Sequence, residues 1–199
     1  MNPREADTNP TSLPALEGAI TIYDRHTGEH SARVAYASAD LARRLGLSNP
    51  EVQTVWWGAA LHDLGKLGVP IDVLRKVGPL AEAEWSQIHR HPAIGYDLLL
   101  AISPSLAPIA AAVRAHHERW DGGGYPDRLA GEDIPLSGRI VAVADAFDCM
   151  VRRRPYRAEV LAAEDAISEL QRQSGSQFDP CLVLLFVELH NNGQIVAMQ

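Results

Sequence analysis

Hydrophobic residues recur at steps of three and four positions through most of this chain. The segment 31–47, SARVAYASADLARRLGL, shows the pattern from Val34 to Leu45 and stops at Gly46. Apolar positions at this spacing line one face of a helix, and a glycine after the last of them is typical of a helix end. The segment is therefore predicted to form an amphipathic helix that ends near Gly46.

Further helices are predicted where the same spacing follows a proline or a loop. The tripeptide NPE at 49–51 begins one that runs into His62, and Pro92 begins another. The other predicted helices span residues 105–119, 137–150, 159–172 and 180–190. Between them, residues 121–135 carry the glycines and prolines of a loop. No stretch alternates apolar and polar positions as a strand would, so the sequence predicts an all-α fold.

The chain has 199 residues, enough for one domain with a substantial core. Residues 1–12 are polar and contain prolines, so we expect a flexible N-terminal arm there and a single helical-bundle domain over residues 13–199. The formal net charge is −7, and the basic residues form no stripe. These features argue against a surface that binds nucleic acids or other polyanions.

No segment resembles a secretory signal, and no apolar run approaches the roughly 20 residues that span a bilayer. We therefore expect a cytoplasmic protein without membrane contact. Cys149 and Cys181 lie in apolar helical patterns. Both are predicted to be buried free thiols, which suits a reducing compartment.

The histidines carry the strongest chemical indication. Six of the eight stand in short acidic or glycine-flanked clusters, and Asp145 stands in the apolar stretch AVADAF. The six are His26, His30, His62, His91, His116 and His117. Histidine and carboxylate side chains are ligands for transition metals and can hold more than one ion. The grouping favours a metal-dependent hydrolase over a passive scaffold.

The pair His62-Asp63 follows an apolar helix. A carboxylate has two oxygens, so Asp63 can bridge two cations while His62 binds one of them. Lys66 shares the face of Asp63 if the helix continues that far, and there it can stabilise an anion or donate a proton. The alternative for such a pair is a surface couple or a helix-end hydrogen bond, and the other histidines favour the metal.

The other candidate ligands also have structural alternatives. His116 and His117 diverge by roughly 100° on a helix, yet both can line one pocket near its end. Otherwise one lies in the core and the other on the surface. His91 stands at a helix start, where a capping role is the alternative. Asp145 needs a partner or a metal if it is buried, and Asp148 shares its face.

Together these residues resemble the HD superfamily of metal-dependent phosphohydrolases. The closer resemblance is to its HD-GYP domains, the bacterial phosphodiesterases that degrade cyclic di-GMP. The resemblance covers about residues 20–187 and is most specific in the run that begins at His116. The matching strings are HDLGKLGVP (62–70), HRHPAIG (89–95), HHERWDGGGYPDRLAGEDIP (116–135), SGRIVAVADAFD (137–148), RRPYR (153–157) and QFDP (177–180).

The resemblance implies an all-helical bundle around a centre of two or three divalent ions, usually iron or manganese. The positions that match the family's metal ligands are His30, His62, Asp63, His91, His116, His117 and Asp145. Among them, Asp63 matches the bridging ligand. Lys66 matches a lysine that contacts the scissile phosphate or the metal-bound oxygen. We therefore expect Asp63 and Lys66 to be the catalytic residues.

The namesake loop, which lies beside the substrate pocket in the family, is matched by Gly124, Tyr125 and Pro126. Arg154 and Arg157 match positions that hold the phosphates of the cyclic dinucleotide, for which the forked donors of arginine are well suited. Without the family they would form a solvated basic patch. Tyr125 and Asp148 are predicted to contact the substrate as well.

Two features depart from the family pattern. Members proposed to hold three ions carry Glu in a Glu-Thr-Gly-x-His string where this chain has His26. His26 and His30 would offer two ligands on one helical face, although Gly28 argues against a helix there. Three alternatives stay open: His26 is a replacement ligand, the third site is absent, or Glu29 has no part in metal binding; we expect two ions. No receiver, PAS or other sensory sequence is recognisable, so we expect a stand-alone enzyme or input from a partner in trans.

The leading hypothesis is hydrolysis of a 3′–5′ phosphodiester in cyclic di-GMP by a hydroxide that bridges two cations. The first product would be pGpG, and the family often continues to GMP. A second hypothesis is a non-catalytic module that senses cyclic di-GMP or docks a GGDEF-domain diguanylate cyclase through the GYP loop. A third is an HD hydrolase that acts on another cyclic dinucleotide. Intact ligand and GYP positions favour catalysis over the second hypothesis.

Overall fold

The computed structural model describes residues 12–152 and 160–195. Its α-helices, in chain order, are α1 (Ser12–Tyr23), α2 (Arg25–Arg44), α3 (Asn49–Ala60), α4 (Ile71–Leu74), α5 (Glu82–Ile88), α6 (His91–Ile102), α7 (Ala107–Ala115), α8 (Leu136–Val151), α9 (Ala163–Arg172) and α10 (Pro180–Asn191). Short 3-10 helices cover Leu64–Gly68, Pro104–Leu106 and Gly131–Asp133. Over these residues the backbone forms no strand, only an isolated bridge between Ser174 and Phe178. The all-α prediction is confirmed.

Two predictions concern residues outside this part of the chain. The N-terminal arm, residues 1–12, falls outside it except for Ser12, with which α1 begins. Arg154 and Arg157 also lie outside the described residues. The boundary between arm and domain, and the phosphate-binding role of the two arginines, therefore stay predictions.

The turn between α2 and α3 has the predicted features. Gly46 adopts the left-handed conformation, with φ of +79°, two residues after α2 ends. Ser48 then caps α3, because its backbone N–H and its hydroxyl both donate to Glu51 Oε2, at 2.8 and 2.6 Å. Such a cap satisfies polar groups that lack partners at the start of a helix. The turn packs α3 against α2.

Helix α2 begins earlier than predicted and includes Gly28. The glycine lies where α1 packs against α2, and a Cβ atom there would stand 2.8 Å from Cα of Thr21. Gly28 therefore permits a close contact between two helices instead of breaking one of them. As a consequence, His26 and His30 lie on the same helix.

Two groups of buried side chains form the hydrophobic core. The larger group joins α2, α3, α8, α9 and α10, and the smaller joins α1, α6 and α7 with the segment after α3. Trp57, on α3, packs against both groups. Since α3 contributes to the contact between them, the residues that directly follow it, His62 and Asp63, lie in the protein interior with 1% and 3% exposure.

Within the described residues, no helix is both long and apolar enough to cross a membrane. Neither cysteine forms a disulfide, as predicted. The prediction that both are buried is wrong, because Cys181 is exposed and Cys149 is half-buried. Cys181 is the second residue of α10, and the following residues Leu182 and Val183 carry the buried face of that helix.

Candidate metal centre

The pair His62-Asp63 lies in the turn after α3 and leads into the 3-10 helix Leu64–Gly68. The sequence predicted that Lys66 shares the face of Asp63 if a helix continues that far. The tighter 3-10 turn has this effect, because it aligns positions three residues apart. Lys66 Nζ lies 2.6 Å from Asp63 Oδ2. The resulting ion pair borders the interior, since the Asp63 side chain is 4% exposed and the Lys66 side chain 18%.

Backbone carbonyls orient three of the buried histidines. His62, His91 and His116 each place Nδ1 2.7 Å from the carbonyl oxygen three residues earlier. A carbonyl only accepts hydrogen bonds, so each Nδ1 carries a proton, and the ring in its neutral form has its lone pair at Nε2. This arrangement favours the tautomer that binds a metal through Nε2.

The Nε2 atoms converge near Asp63. His91 Nε2 lies 3.2 Å from His116 Nε2 and 3.4 Å from Asp63 Oδ1. His62 Nε2 lies 3.4 Å from Asp63 Oδ2. The pKa values of His91 and His116 are both lowered by burial, so His91 Nε2 presents a lone pair to His116 Nε2 and to Asp63 Oδ1, and these atoms repel one another unless a cation lies among them. The chemistry of this donor set therefore fits a transition-metal ion.

Burial and charge give Asp63, His91 and His117 protonation states that suit metal ligands. Burial lowers the pKa of His91 to about 4 and that of His117 to about 3. Burial acts to raise the pKa of Asp63, but the positive charges of Lys66 and His62 outweigh it and hold the pKa well below its usual range. At neutral pH the imidazoles of His91 and His117 are thus neutral and Asp63 is ionised.

Three groups of ligand atoms lie within 4.8 Å of one another in the described residues. The groups are His91, His116 and His117; His30, His62 and Asp63; and His30, Asp145 and Cys149. Every position that the family resemblance matched to a metal ligand belongs to one of them. His26 does not, because its side chain is exposed on α2. The geometry brings the predicted ligands together, and their binding of metal stays a proposal.

Asp148 holds His30 in place. Its Oδ2 atom lies 2.6 Å from His30 Nδ1, and Arg33 contacts both of its oxygens, at 2.7 and 2.9 Å. Burial acts to raise the pKa of Asp148, but hydrogen bonds from His30 and Arg33 outweigh it and lower the pKa. The sequence predicted that Asp148 contacts the substrate. That contact stays a prediction; in the structure both of its oxygens are engaged within the protein, where this carboxylate supports His30.

Replacing Asp148 by asparagine is expected to weaken metal binding by about 10- to 100-fold, the usual effect of removing a group that orients a ligand. The amide keeps the shape of the side chain but removes the charge that holds Arg33 and His30. Competition with a coloured chelator measures the affinity. Asp165→Asn, an exposed change of the same kind on α9, should leave it unchanged. Equal affinity in both variants would contradict the supporting role of Asp148.

The GYP loop, residues 124–126, reaches the ligand cluster through Tyr125. The ring of Tyr125 stacks against His117 and against His89, with centroid distances of 4.8 and 4.3 Å. The backbone N–H of Tyr125 donates to the His117 carbonyl at 3.2 Å. Gly124 allows this approach, because a Cβ atom there would lie 2.5 Å from Cα of Glu118. The loop therefore lies directly against a candidate ligand.

Sequence reasoning missed Glu118, which fastens the chain around the GYP loop. Its side chain is buried, and its two oxygens accept hydrogen bonds from the backbone N–H groups of Asp127 and Leu129, at 2.7 and 3.1 Å. Arg114, on α7, adds a two-point ion pair to Asp127. The available signal was a charged residue directly after two candidate ligands. The hydrogen-bond partners of Glu118 are backbone N–H groups, which a sequence motif cannot indicate.

Glu118→Gln is expected to lower the free energy of unfolding by about 1 kcal/mol, because the amide has one accepting oxygen for two part-buried N–H donors. Urea unfolding measures the change. Glu132→Gln is an exposed change within the same loop segment, 121–135, and should have little effect. Loss of stability in both variants alike, or in neither, would contradict the fastening role.

Proteins of known family share much of this sequence. The family model described as HD domain matches residues 14–182. The chain is 43% identical to the cyclic di-GMP phosphodiesterase response regulator RpfG of Xanthomonas campestris, over 89% of this chain and 46% of the relative. It is 40% identical to 3'3'-cGAMP-specific phosphodiesterase 2 of Vibrio cholerae, over 87% and 33%. It is also 40% identical to a cyclic di-GMP phosphodiesterase of Thermotoga maritima, over 83% and 45%. The chain thus spans less than half the length of these relatives.

Solved structures share the fold. The cyclic GMP-AMP phosphodiesterase V-cGAP3 of V. cholerae superposes with a TM-score of 0.70 at 22% identity, over 92% of this chain and 49% of that one. The HD domain of the L. monocytogenes phosphodiesterase PgpH, in complex with cyclic di-AMP, gives a TM-score of 0.62 at 16% identity, over 93% and 98%. These similarities confirm the expected HD-type helical bundle.

Proposed function

Because the chain belongs to the HD-domain family, in its HD-GYP branch, we propose that it is a metal-dependent phosphodiesterase that hydrolyses cyclic di-GMP. One observation carries the proposal: the predicted ligands gather in one interior cluster, with the tyrosine of the GYP loop stacked on His117. Relatives named as cyclic di-GMP phosphodiesterases support the choice of substrate. The fold alone would not, because one fold hosts many functions.

Two divalent ions, iron or manganese, are part of the proposal, with a third ion as the alternative. The side chains that would hold them are His30, His62, Asp63, His91, His116, His117 and Asp145. Bound ions would activate water for attack and offset charge on the phosphate. The neutral imidazoles of His91 and His117 and the ionised carboxylate of Asp63 support this assignment, because metal ligands must be deprotonated.

Lys66 is proposed to bind the scissile phosphate. Its ammonium group lies 2.6 Å from Asp63 Oδ2, at the border of the cluster. An ammonium there offers positive charge and hydrogen bonds to a phosphoryl oxygen that becomes more negative as the phosphodiester is attacked. Burial opposes the ionisation of Asp63, and the charge of Lys66 counteracts it. One side chain would thus serve both the substrate and the metal ligand.

Cleavage of one 3′–5′ linkage in cyclic di-GMP would give linear pGpG, and cleavage of the second would give GMP. In the proposal Tyr125 contacts the substrate beside His117, where its ring stacks. Arg154 and Arg157 would bind phosphates. A cytoplasmic location, and a GGDEF-domain or sensory partner, stay predictions.

The second candidate substrate is 3'3'-cGAMP, because a relative at 40% identity is named as specific for it. The two dinucleotides differ in one base, so the same metal cluster would serve both. Contacts to that base would decide which dinucleotide is the better substrate. A non-catalytic sensor of cyclic di-GMP is the alternative from another class. The complete ligand cluster supports catalysis over it.

The test is anaerobic incubation of the iron- or manganese-loaded protein with cyclic di-GMP and, separately, with 3'3'-cGAMP. Chromatography measures pGpG, GMP and the linear product of cGAMP, and metal analysis is run on the same samples. We expect hydrolysis of cyclic di-GMP that a chelator abolishes and added metal restores. If 3'3'-cGAMP is hydrolysed faster than cyclic di-GMP, it replaces cyclic di-GMP as the proposed substrate. Binding without product, at full metal occupancy, would favour the sensor.

A further inference from the structure

Cys149 forms a group of possible metal ligands with His30 and Asp145, although no predicted ligand is a cysteine. Its Sγ atom is 3.0 Å from Asp145 Oδ1, and His30 Nε2 is 2.9 Å from the same oxygen. The sulfur, nitrogen and oxygen atoms all lie within 4.8 Å of one another. Cys149 follows Asp145 by one turn of α8, so the two side chains share a face of that helix.

A separate observation supports His30 as a metal ligand. The side chain is 5% exposed, and its Nδ1 atom lies 2.6 Å from Asp148, which Arg33 holds with two hydrogen bonds. A carboxylate that orients the far nitrogen of a histidine is the support that metal-binding histidines commonly have. The contact aims Nε2 of His30 at Asp145 and Cys149.

Within the described residues, α2 adds only His30 to this group. His26, one turn earlier on the same helix, has an exposed side chain and stands outside it. The third donor comes from α8 instead, as the sulfur of Cys149. The group therefore combines one nitrogen, one oxygen and one sulfur from two packed helices.

We propose that Cys149 is a thiolate ligand of a metal ion held together with His30 and Asp145. The inference rests on the proposed metal-dependent function and extends it to a mixed nitrogen, oxygen and sulfur site. Binding would form a metal–sulfur bond and release the thiol proton to water. A soft sulfur donor would favour Zn²⁺ or Co²⁺ over Mn²⁺ at this position, because Mn²⁺ prefers oxygen ligands.

Cobalt reports this bond without an assay of activity. The full chain, freed of metal, is titrated anaerobically with Co²⁺ while its absorption spectrum is recorded. A cobalt–thiolate bond gives a charge-transfer band in the near ultraviolet, whereas the weaker visible bands report cobalt in any ligand set. We expect the near-ultraviolet band in the parent protein and its loss in Cys149→Ser, with visible bands kept. The preference for Co²⁺ over Mn²⁺ should fall in the same variant.

Cys181→Ser is the matched control, because Cys181 is an exposed free thiol far along the chain on α10. It should keep the charge-transfer band. Thermal unfolding verifies that each variant folds, and Cys149→Ala replaces Cys149→Ser if the serine variant does not. A parent protein with visible bands but no charge-transfer band would overturn the proposal, and so would a band that persists without Cys149.

The outcome for Cys149 is separable from the outcome for the proposed activity. Hydrolysis of cyclic di-GMP is measured on manganese-loaded samples of the same preparations. A parent protein that hydrolyses the dinucleotide without forming the cobalt–thiolate band refutes the thiolate ligand alone. A band without hydrolysis supports the ligand and counts against the phosphodiesterase.

Discussion

Replacing Asp63 by alanine is expected to lower hydrolysis of the cyclic dinucleotide by about a thousandfold or more. The two oxygens of Asp63 face different partners: Oδ1 lies 3.4 Å from His91 Nε2, and Oδ2 lies 3.4 Å from His62 Nε2. Oδ2 also holds Lys66, at 2.6 Å. Alanine would remove the anion shared by two candidate ligands and release the ammonium proposed to bind the phosphate.

The measurement pairs the rate with the metal content of each sample. Asp63→Asn serves as a companion variant, because it keeps the shape of the side chain and isolates the loss of charge. Asp72→Ala, an exposed change on α4, is the control and should keep full activity. Unfolding curves verify that each variant is folded under the assay conditions. Turnover retained in Asp63→Ala, with metal content unchanged, would contradict the bridging role.

The spacing of apolar residues is sufficient to predict the helices that bury one face. Helix α2 ends near Gly46, as predicted, and α3 begins at Asn49, in the predicted tripeptide NPE. Helix α5 was missed for a physical reason: none of its residues is buried, so no apolar pattern marks it. Gly28 misled the prediction because the local cost of glycine in a helix is outweighed by the close contact with α1.

The candidate site was predictable in its donors but not in their supports. Histidines and aspartates grouped in short motifs indicate metal ligands, because few roles other than metal binding need those residues together. The contact between His30 and Asp148 joins residues 118 positions apart, and only the fold brings them together. Glu118 and Cys149 were missed for the same reason, since backbone amides and a neighbouring helix face give them their roles.

Replacing Gly65 by alanine is expected to lower the free energy of unfolding by about 3 kcal/mol, at the upper end of the usual cost of overpacking. A Cβ atom at Gly65 would stand 1.8 Å from the carbonyl oxygen of His91 and 2.7 Å from the amide nitrogen of Gly95. Both are backbone atoms, which cannot rotate away as the end of a side chain can. The melting temperature should therefore fall by about 6–12 °C for a chain of this size.

The same substitution should also reduce metal binding. Gly65 lies between Asp63 and Lys66 in sequence, and it packs on the start of α6, where His91 is the first residue. Relief of the clash would push these segments apart and lengthen the 3.4 Å separation between His91 Nε2 and Asp63 Oδ1. Stability and metal affinity are thus expected to fall together, because one close backbone contact positions ligands from both segments.

Urea unfolding and metal analysis of two glycine variants test this coupling. Gly18→Ala is the control, because a Cβ atom there meets nothing within 4 Å on α1. Alanine favours helix more than glycine does, so this variant should match the parent or gain up to about 1 kcal/mol. If Gly65→Ala is as stable as the parent, the claim that Gly65 packs too closely on α6 to admit a Cβ atom is contradicted. If it is destabilised yet keeps full metal affinity in the folded state, the contact supports the fold without positioning His91.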